Sequence, residues 1–267
     1  EMFRKDRADF ESKWNDMKII IEYGMLTEDK FFDKAKKFAM YADTDGGLHT
    51  FEAYLESIKE QQTDKDKKTV VLYASNKDAQ HSYIQKAKSK GYSVLLLDSP
   101  LTSHLLQKLE QEHENTTFAR VDSDLIDNLI KKDETRVAKL SDKQKEELKT
   151  RLETIVPKEK FTLKLEDMDS TEAPLVITVP EFMRRMKEMQ MTGGGGMMGM
   201  GDFPDMYDLI VNANHPLASK ILDTEDADAR GTAVNQALDL AKLQQNLLHG
   251  EELTAFIARS YELLGNE

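Results

Sequence analysis

The apolar positions of the chain follow two different periods, and the change between them divides it. Over residues 1–62 the period is helical. Phe10, Trp14, Met17 and Ile21 recur at spacings of four, three and four, the rhythm of one helix face, with Gly24 expected to end the helix. Phe31, Phe32, Ala35, Phe38 and Ala39 repeat the rhythm on a second helix. Phe51, Tyr54, Leu55 and Ile58 repeat it on a third, after a loop at Asp43-Thr44-Asp45-Gly46-Gly47.

The period changes after the polar connector that begins at Thr63. Val70 to Ala74 and Val94 to Leu97 are short continuous apolar runs, as expected of strands buried on both faces, and Phe118 to Val121 is a third. A helix from about Asp78 to Lys90, closed by Gly91, separates the first two runs; one bearing Leu101, Leu105, Leu106 and Leu109 separates the second pair. This order implies a small parallel sheet with helical crossovers. Residues 122–140 are polar and read as a linker.

Ser141 with Gln144 forms a capping box for a helix carrying Leu148, Leu152 and Ile155. Phe161, Leu163 and Leu165 alternate with polar residues as a half-buried strand does, and Leu175 to Val179 is a second strand. The rest is expected to be helical around one low-complexity loop. The fold class is therefore mixed α/β: a helical segment over 1–62, a three-layer α/β/α unit over 63–130, and an α+β domain over 131–267 that ends in a helix hairpin.

Net charge narrows the partners. At -12, with 49 Asp and Glu against 37 Lys and Arg, the chain lacks the cation excess that phosphate backbones require, so nucleic acid is not an expected partner. No cysteine is present, which removes disulfides and thiolate chemistry. No apolar run approaches the length needed to cross a bilayer, and the abrupt, polar start carries no signal-peptide core, so a segment cut from a longer protein is expected.

The β-α-β unit invites a nucleotide-binding reading, which would make the protein an enzyme. Against it, the turn after the first strand is Ser75-Asn76-Lys77-Asp78, without the glycines that let a backbone approach a pyrophosphate. The histidines, His49, His81, His104, His113, His215 and His249, form no compact ligand pair and read as surface or capping residues; no metal site is expected. The many carboxylates read as solvated charge, and no catalytic residue is assigned.

Residues 182–206 are the most unusual stretch. At 100° per residue Phe182, Met186 and Met189 share a narrow arc with Met183 at its edge, while Arg184, Arg185, Lys187 and Glu188 lie opposite. Four glycines, Gly193 to Gly196, then precede Met197, Met198, Met200 and Phe203. Two readings stand side by side: a methionine face packed into a core, or a soft surface that adapts to different apolar partners. In the terminal hairpin, expected over Ala233–Leu248 and Leu253–Leu264, the first helix is apolar on more than one side. It must lie on its own domain or pair with a second copy in a four-helix bundle, and the dimer is favoured.

Several segments resemble one family. Phe51-Glu52-Ala53-Tyr54-Leu55-Glu56-Ser57-Ile58-Lys59-Glu60 resembles the L-x-E-Y-V-x-R-M-K-E helix of the ninety-kilodalton heat-shock chaperones, and Thr69 to Ala74 resembles their I-Y-Y-I-T strand. Lys90 to Leu97 resembles K-G-x-E-V-L-L-L, Leu101 to Leu109 the helix that follows, and Asn212-Ala213-Asn214-His215-Pro216 resembles N-P-D-H-P. The likeness is collinear over essentially the whole chain. It implies the end of that family's middle domain followed by its C-terminal domain, with the ATP site and the catalytic arginine loop in segments that precede this one. No ATP hydrolysis and no cofactor are then expected here, ATP and magnesium belonging to the full-length chaperone. The resemblance assigns client contact to Phe182, Met183, Met186, Met189, Met197 and Met198. It assigns homodimerisation to the hairpin, with Leu238, Ala241, Leu247, Phe256, Ile257 and Leu264 at the interface. Unfolded proteins are the implied partners, without nucleic acid or membrane, in a cytoplasmic stress response. The ending Leu264-Gly265-Asn266-Glu267, lacking both M-E-E-V-D and a retention signal, resembles the bacterial type; the tetraglycine run departs from it.

Overall fold

The computed structural model describes residues 2–133, 136–192 and 206–265. In chain order the elements are α1 (Met2–Lys5), α2 (Arg7–Ser12), α3 (Trp14–Thr27), α4 (Asp29–Ala35), β1 (Met40–Ala42), β2 (Leu48–Thr50), α5 (Phe51–Gln62), β3 (Thr69–Ala74), α6 (His81–Ser89), β4 (Val94–Leu96), α7 (Thr102–Glu112), β5 (Thr116–Arg120) and α8 (Ile126–Leu129). There follow α9 (Asp142–Glu153), β6 (Phe161–Glu166), β7 (Leu175–Thr178), α10 (Glu181–Thr192), β8 (Tyr207–Asn212), α11 (Pro216–Asp223), α12 (Ala227–Gln244) and α13 (Gly250–Gly265). They form two compact units. The first holds residues 1–133 and 181–201, the second 134–180 and 202–267.

In the first unit β3 is the central strand of a parallel sheet ordered β4-β3-β5, pairing Leu72 with Val94 and with Ala119. Its side chains alternate between two covered faces, so both parities are apolar. Val71 and Tyr73 face a core that takes in Leu95, Phe118, Leu105, Leu106 and Leu109 of the sheet and α7, together with Tyr54 and Ile58 of α5 and the aromatic residues of the N-terminal helices. Val70, Leu72 and Ala74 are equally buried on the other face. Fully buried Gln62 ties α5 to this sheet: its Nε2 donates to the Val70 carbonyl at 2.8 Å and its Oε1 accepts from the Ser93 amide at 2.6 Å. Gly91, at φ +78, closes α6 in the left-handed region that glycine enters without penalty.

Two expectations for this unit need correction, and a third, the loop at residues 43–47, holds with more detail. Gly24 does not end a helix: α3 runs on to Thr27. The glycine is there for close approach, since a Cβ would lie 2.8 Å from Cε1 of the Phe31 ring on α4. The loop at residues 43–47 is the turn of a small antiparallel hairpin, β1 with β2. Its Asp43 carboxylate accepts from the Asp45 and Gly47 amides and lies 2.7 Å from His49 Nε2. The polar stretch after residue 121 is not wholly linker, because α8 lies in it and Ile126 and Ile130 are buried.

In the second unit the sheet order is β6-β8-β7, with β8 parallel to β6 and antiparallel to β7. The expectation that the chain beyond Val179 is helical outside its loop is thus corrected: Tyr207–Asn212 is the middle strand. The capping box at Ser141 and Gln144 opens α9 as expected. Leu148 and Leu152 of α9, Leu209 and Val211 of β8, Ile221 of α11 and Val234, Ala237, Leu238 and Ala241 of α12 share one core. The segment after β8 pins the surrounding loops. Asn214 Nδ2 donates to the Val137 and Met168 carbonyls at 2.9 Å each, its Oδ1 accepts from the Lys139 amide at 2.8 Å, and Asn212 Nδ2 donates to the Asp169 carbonyl at 2.7 Å. His215 caps α11, accepting from the Leu217 amide, and Pro216 stands in the first turn where a missing N–H costs nothing.

Candidate functional site

Helix α10 meets the first unit with the side that periodicity marks as polar. Glu181, Arg184, Arg185 and Glu188 fall on one arc, and that arc packs against β3, β5 and α7. The carboxylate of Glu181 receives four donors: the Tyr73 hydroxyl at 2.9 Å, the Arg120 amide at 3.1 Å, Arg184 Nη2 at 2.6 Å and Arg185 Nε at 2.7 Å. Arg184, only 8% exposed, also donates to the Tyr73 hydroxyl and reaches Glu188 at 2.5 Å. Arg185 makes a two-pronged contact with Glu110 of α7, at 2.9 and 3.3 Å, and donates to the Phe118 carbonyl at 2.9 Å. Glu188 accepts from the Ser103 hydroxyl. These carboxylates are therefore not solvated charge, contrary to the sequence reading.

Burial and charge pull on this network in opposite directions. For Glu181 burial works to raise the carboxyl, but the Arg184 and Arg185 guanidiniums outweigh it and hold the group below the ordinary glutamate range. Burial, followed by the Glu181 charge, pushes the Tyr73 hydroxyl far above the usual phenol range. Glu181 is also the first residue of its helix, where a negative charge is favoured by the helix dipole.

With the charged arc turned inward, the apolar arc faces out. Phe182 is 72% exposed, and Met183, Met186 and Met189 are half-buried. None of these four packs against the first unit's hydrophobic core. Met197 and Met198 lie outside the described residues.

The terminal hairpin divides the residues that the resemblance assigns to a dimer interface. Leu238 and Ala241 lie in the second unit's own core, with Leu247 packed against it. Phe256 is half-buried. Ile257 is exposed and Leu264 is 79% exposed. The interface assignment left out Tyr261, and also Leu240 and Leu243 of the broad apolar face of α12, all exposed; Tyr261 stands four residues after Ile257 and three before Leu264, and that spacing was the available signal. No residue of α13 is fully buried. It is joined to α12 by polar contacts: Arg259 to Asp239 at 2.5 Å and to Gln236 Oε1 at 2.8 Å, Gln236 Nε2 to Ser260 Oγ at 3.0 Å, and Lys242 to Glu252 at 3.3 Å.

The nucleotide reading gains nothing from the turn after β3. The Ser75 and Asn76 amides, which would have to face a phosphate, both donate to Gln80 Oε1, at 2.8 and 3.1 Å.

Comparison with known proteins agrees with the collinear resemblance. The family described as Hsp90 protein matches residues 1–257. The chaperone protein htpG of Bacteroides fragilis strain 638R is 37% identical over an alignment of 330 positions that takes in 98% of this chain and 48% of the relative. The HtpG of Porphyromonas gingivalis strain ATCC 33277 is 40% identical over 247 positions, 91% of this chain and 36% of the relative. The chain belongs to the Hsp90 family. It spans about half the length, or less, of the curated relatives it matches. Among the described residues no helix is long and apolar enough to cross a membrane.

Proposed function

We propose that this chain is the dimerising and client-contacting portion of a cytoplasmic Hsp90-type chaperone, acting without ATP hydrolysis or a cofactor of its own. The observation that carries the reading is the row Ile257, Tyr261 and Leu264 on α13, exposed at spacings of four and three, together with Leu240 and Leu243, which are exposed on α12. A row of this kind is expensive to leave in water. A second copy of the same hairpin, related by a two-fold axis, would cover it in a four-helix bundle. The outward face of Phe182, Met183, Met186 and Met189 suits segments of unfolded protein, because methionine adapts to apolar partners of different shape. Sedimentation equilibrium over a wide concentration range tests the dimer. A species of twice the 30.5 kDa chain mass is expected. A monomer at every concentration would overturn the assignment of the hairpin.

A further inference from the structure

Helix α10 belongs to the first unit, while the strands on either side of it in sequence, β7 and β8, pair with one another in the second. An element so placed needs a fastening, and the fastening here is charge. The buried side chain on its docked arc is an arginine, and its described apolar side chains stay out of the unit's hydrophobic core. Buried ion pairs hold geometry tightly but return little net stability, because desolvation offsets attraction. Arg184 shows that cost directly: its Nε is buried without a hydrogen-bond partner among the described residues.

We infer that Glu181, Arg184 and Arg185 form an ionic latch that positions α10 on β3, β5 and α7 and so holds its Phe182 and methionine face outward for client binding. The inference rests on the reading of that face as a client surface. Glu181 is the keystone, since one carboxylate gathers donors from β3, β5 and the next turn of α10. In the closed state Met183, Met186 and Met189 are partly sheltered and Phe182 stands out. Opening the latch frees α10 to turn that face away, so the latch sets the direction in which the protein presents it. No apolar core is broken on opening, which keeps the transition local.

Hydrogen exchange on the full chain, wild type against Glu181→Gln, tests this. Gln keeps the shape and an acceptor oxygen but removes the charge. The expected result is exchange in α10 roughly tenfold to a hundredfold faster, with β3 and β5 unchanged. Glu110→Gln, which weakens the Arg185 contact from the other side, should act in the same direction. Unchanged exchange in α10 in both variants would overturn the latch. Equal loosening of α10, β3 and β5 would also overturn it, showing an ordinary structural group. Binding of a permanently unfolded probe, reduced and carboxymethylated α-lactalbumin, is measured on the same samples. Weaker binding by the loosened variants supports both latch and client surface, and tighter binding would overturn the outward-holding role. Loosening without a change in binding leaves the fastening intact and sinks the client reading of the face.

Discussion

Helices α10 and α13 are both amphipathic and both leave large apolar side chains in water, yet they are attached in opposite ways. α10 drives its charged arc into a buried site where Glu181 collects four donors. α13 buries no residue fully and touches α12 through polar contacts at the edge of its unit. The first fastening fixes an orientation. The second rests on pairs whose α12 members, Asp239 and Lys242, are buried, and desolvation leaves such pairs little net stability, so on this reading α13 depends on whatever covers Ile257, Tyr261 and Leu264. On the proposed reading an exposed apolar face carries different meanings: on α10 a surface held out by charge, on α13 half of a core that a second copy completes.

The largest effect expected from pressing on this contrast lies just beside α13. Leu238 of α12 is 3% exposed and part of the second unit's core, so Leu238→Ala should cost about 2–5 kcal/mol in chemical denaturation and Leu238→Asp should unfold that unit. A loss below about 1 kcal/mol for the alanine variant would remove α12 from the core. Next comes the pair Ile257→Asp and Leu264→Asp. On α13 these should weaken dimerisation by about a hundredfold or more, while protomer stability changes by no more than about 0.5 kcal/mol. Sedimentation reads the first number and denaturation of dilute protein the second; a large stability loss would mean that α13 is core after all. Smaller still, Phe182→Ser with Met186→Ser and Met189→Ser should lower affinity for an unfolded protein by about tenfold and leave the dimer intact. Equal affinity would mean that the α10 face is idle.

The smallest effect is a pH dependence. Glu181 is held below its ordinary value of 4.5, so the unfolded state binds its proton more readily than the folded one. Its stabilising contribution is complete above that value and is lost as pH falls through the lower folded value. Protection of α10 against exchange should therefore fade on acidification before that of β3, and Glu181→Gln should remove the difference.

What could be read from the sequence followed from what local pattern encodes. The strands β3, β4 and β5 were legible because continuous apolar runs between helices mean burial on both faces, and the Ser141–Gln144 box because capping is local. Strand β8 was not: six residues without clean alternation stand directly after a Gly- and Met-rich stretch. The hairpin β1–β2 has three residues per strand, too few for a period to show. For α10 the two faces were legible, but their direction was not. Periodicity separates charged from apolar positions and says nothing about which side meets protein; that was decided by Tyr73, Glu110 and Arg120, which are 61 to 111 residues away from their partners. The same limit split the hairpin residues. Leu238 and Ile257 look alike in sequence, and only the presence of β7 and α11 against α12 makes the first a core residue.

The order of strands in the second sheet also bears on how the chain is made. Both β6 and β7 pair only with β8, which is the last of the three to leave the ribosome. From Thr178 to Tyr207, at roughly 5–20 residues per second, synthesis leaves two strands with unpaired edges on the order of seconds. During that interval the first unit's own sheet is already complete in sequence, and the charged arc of α10 that docks on it is made. The arrival of Tyr207–Asn212 then converts two waiting strands into a sheet in one step. Hydrogen exchange on chains halted before Tyr207 should find β6 and β7 unprotected while β3, β4 and β5 are already closed to solvent.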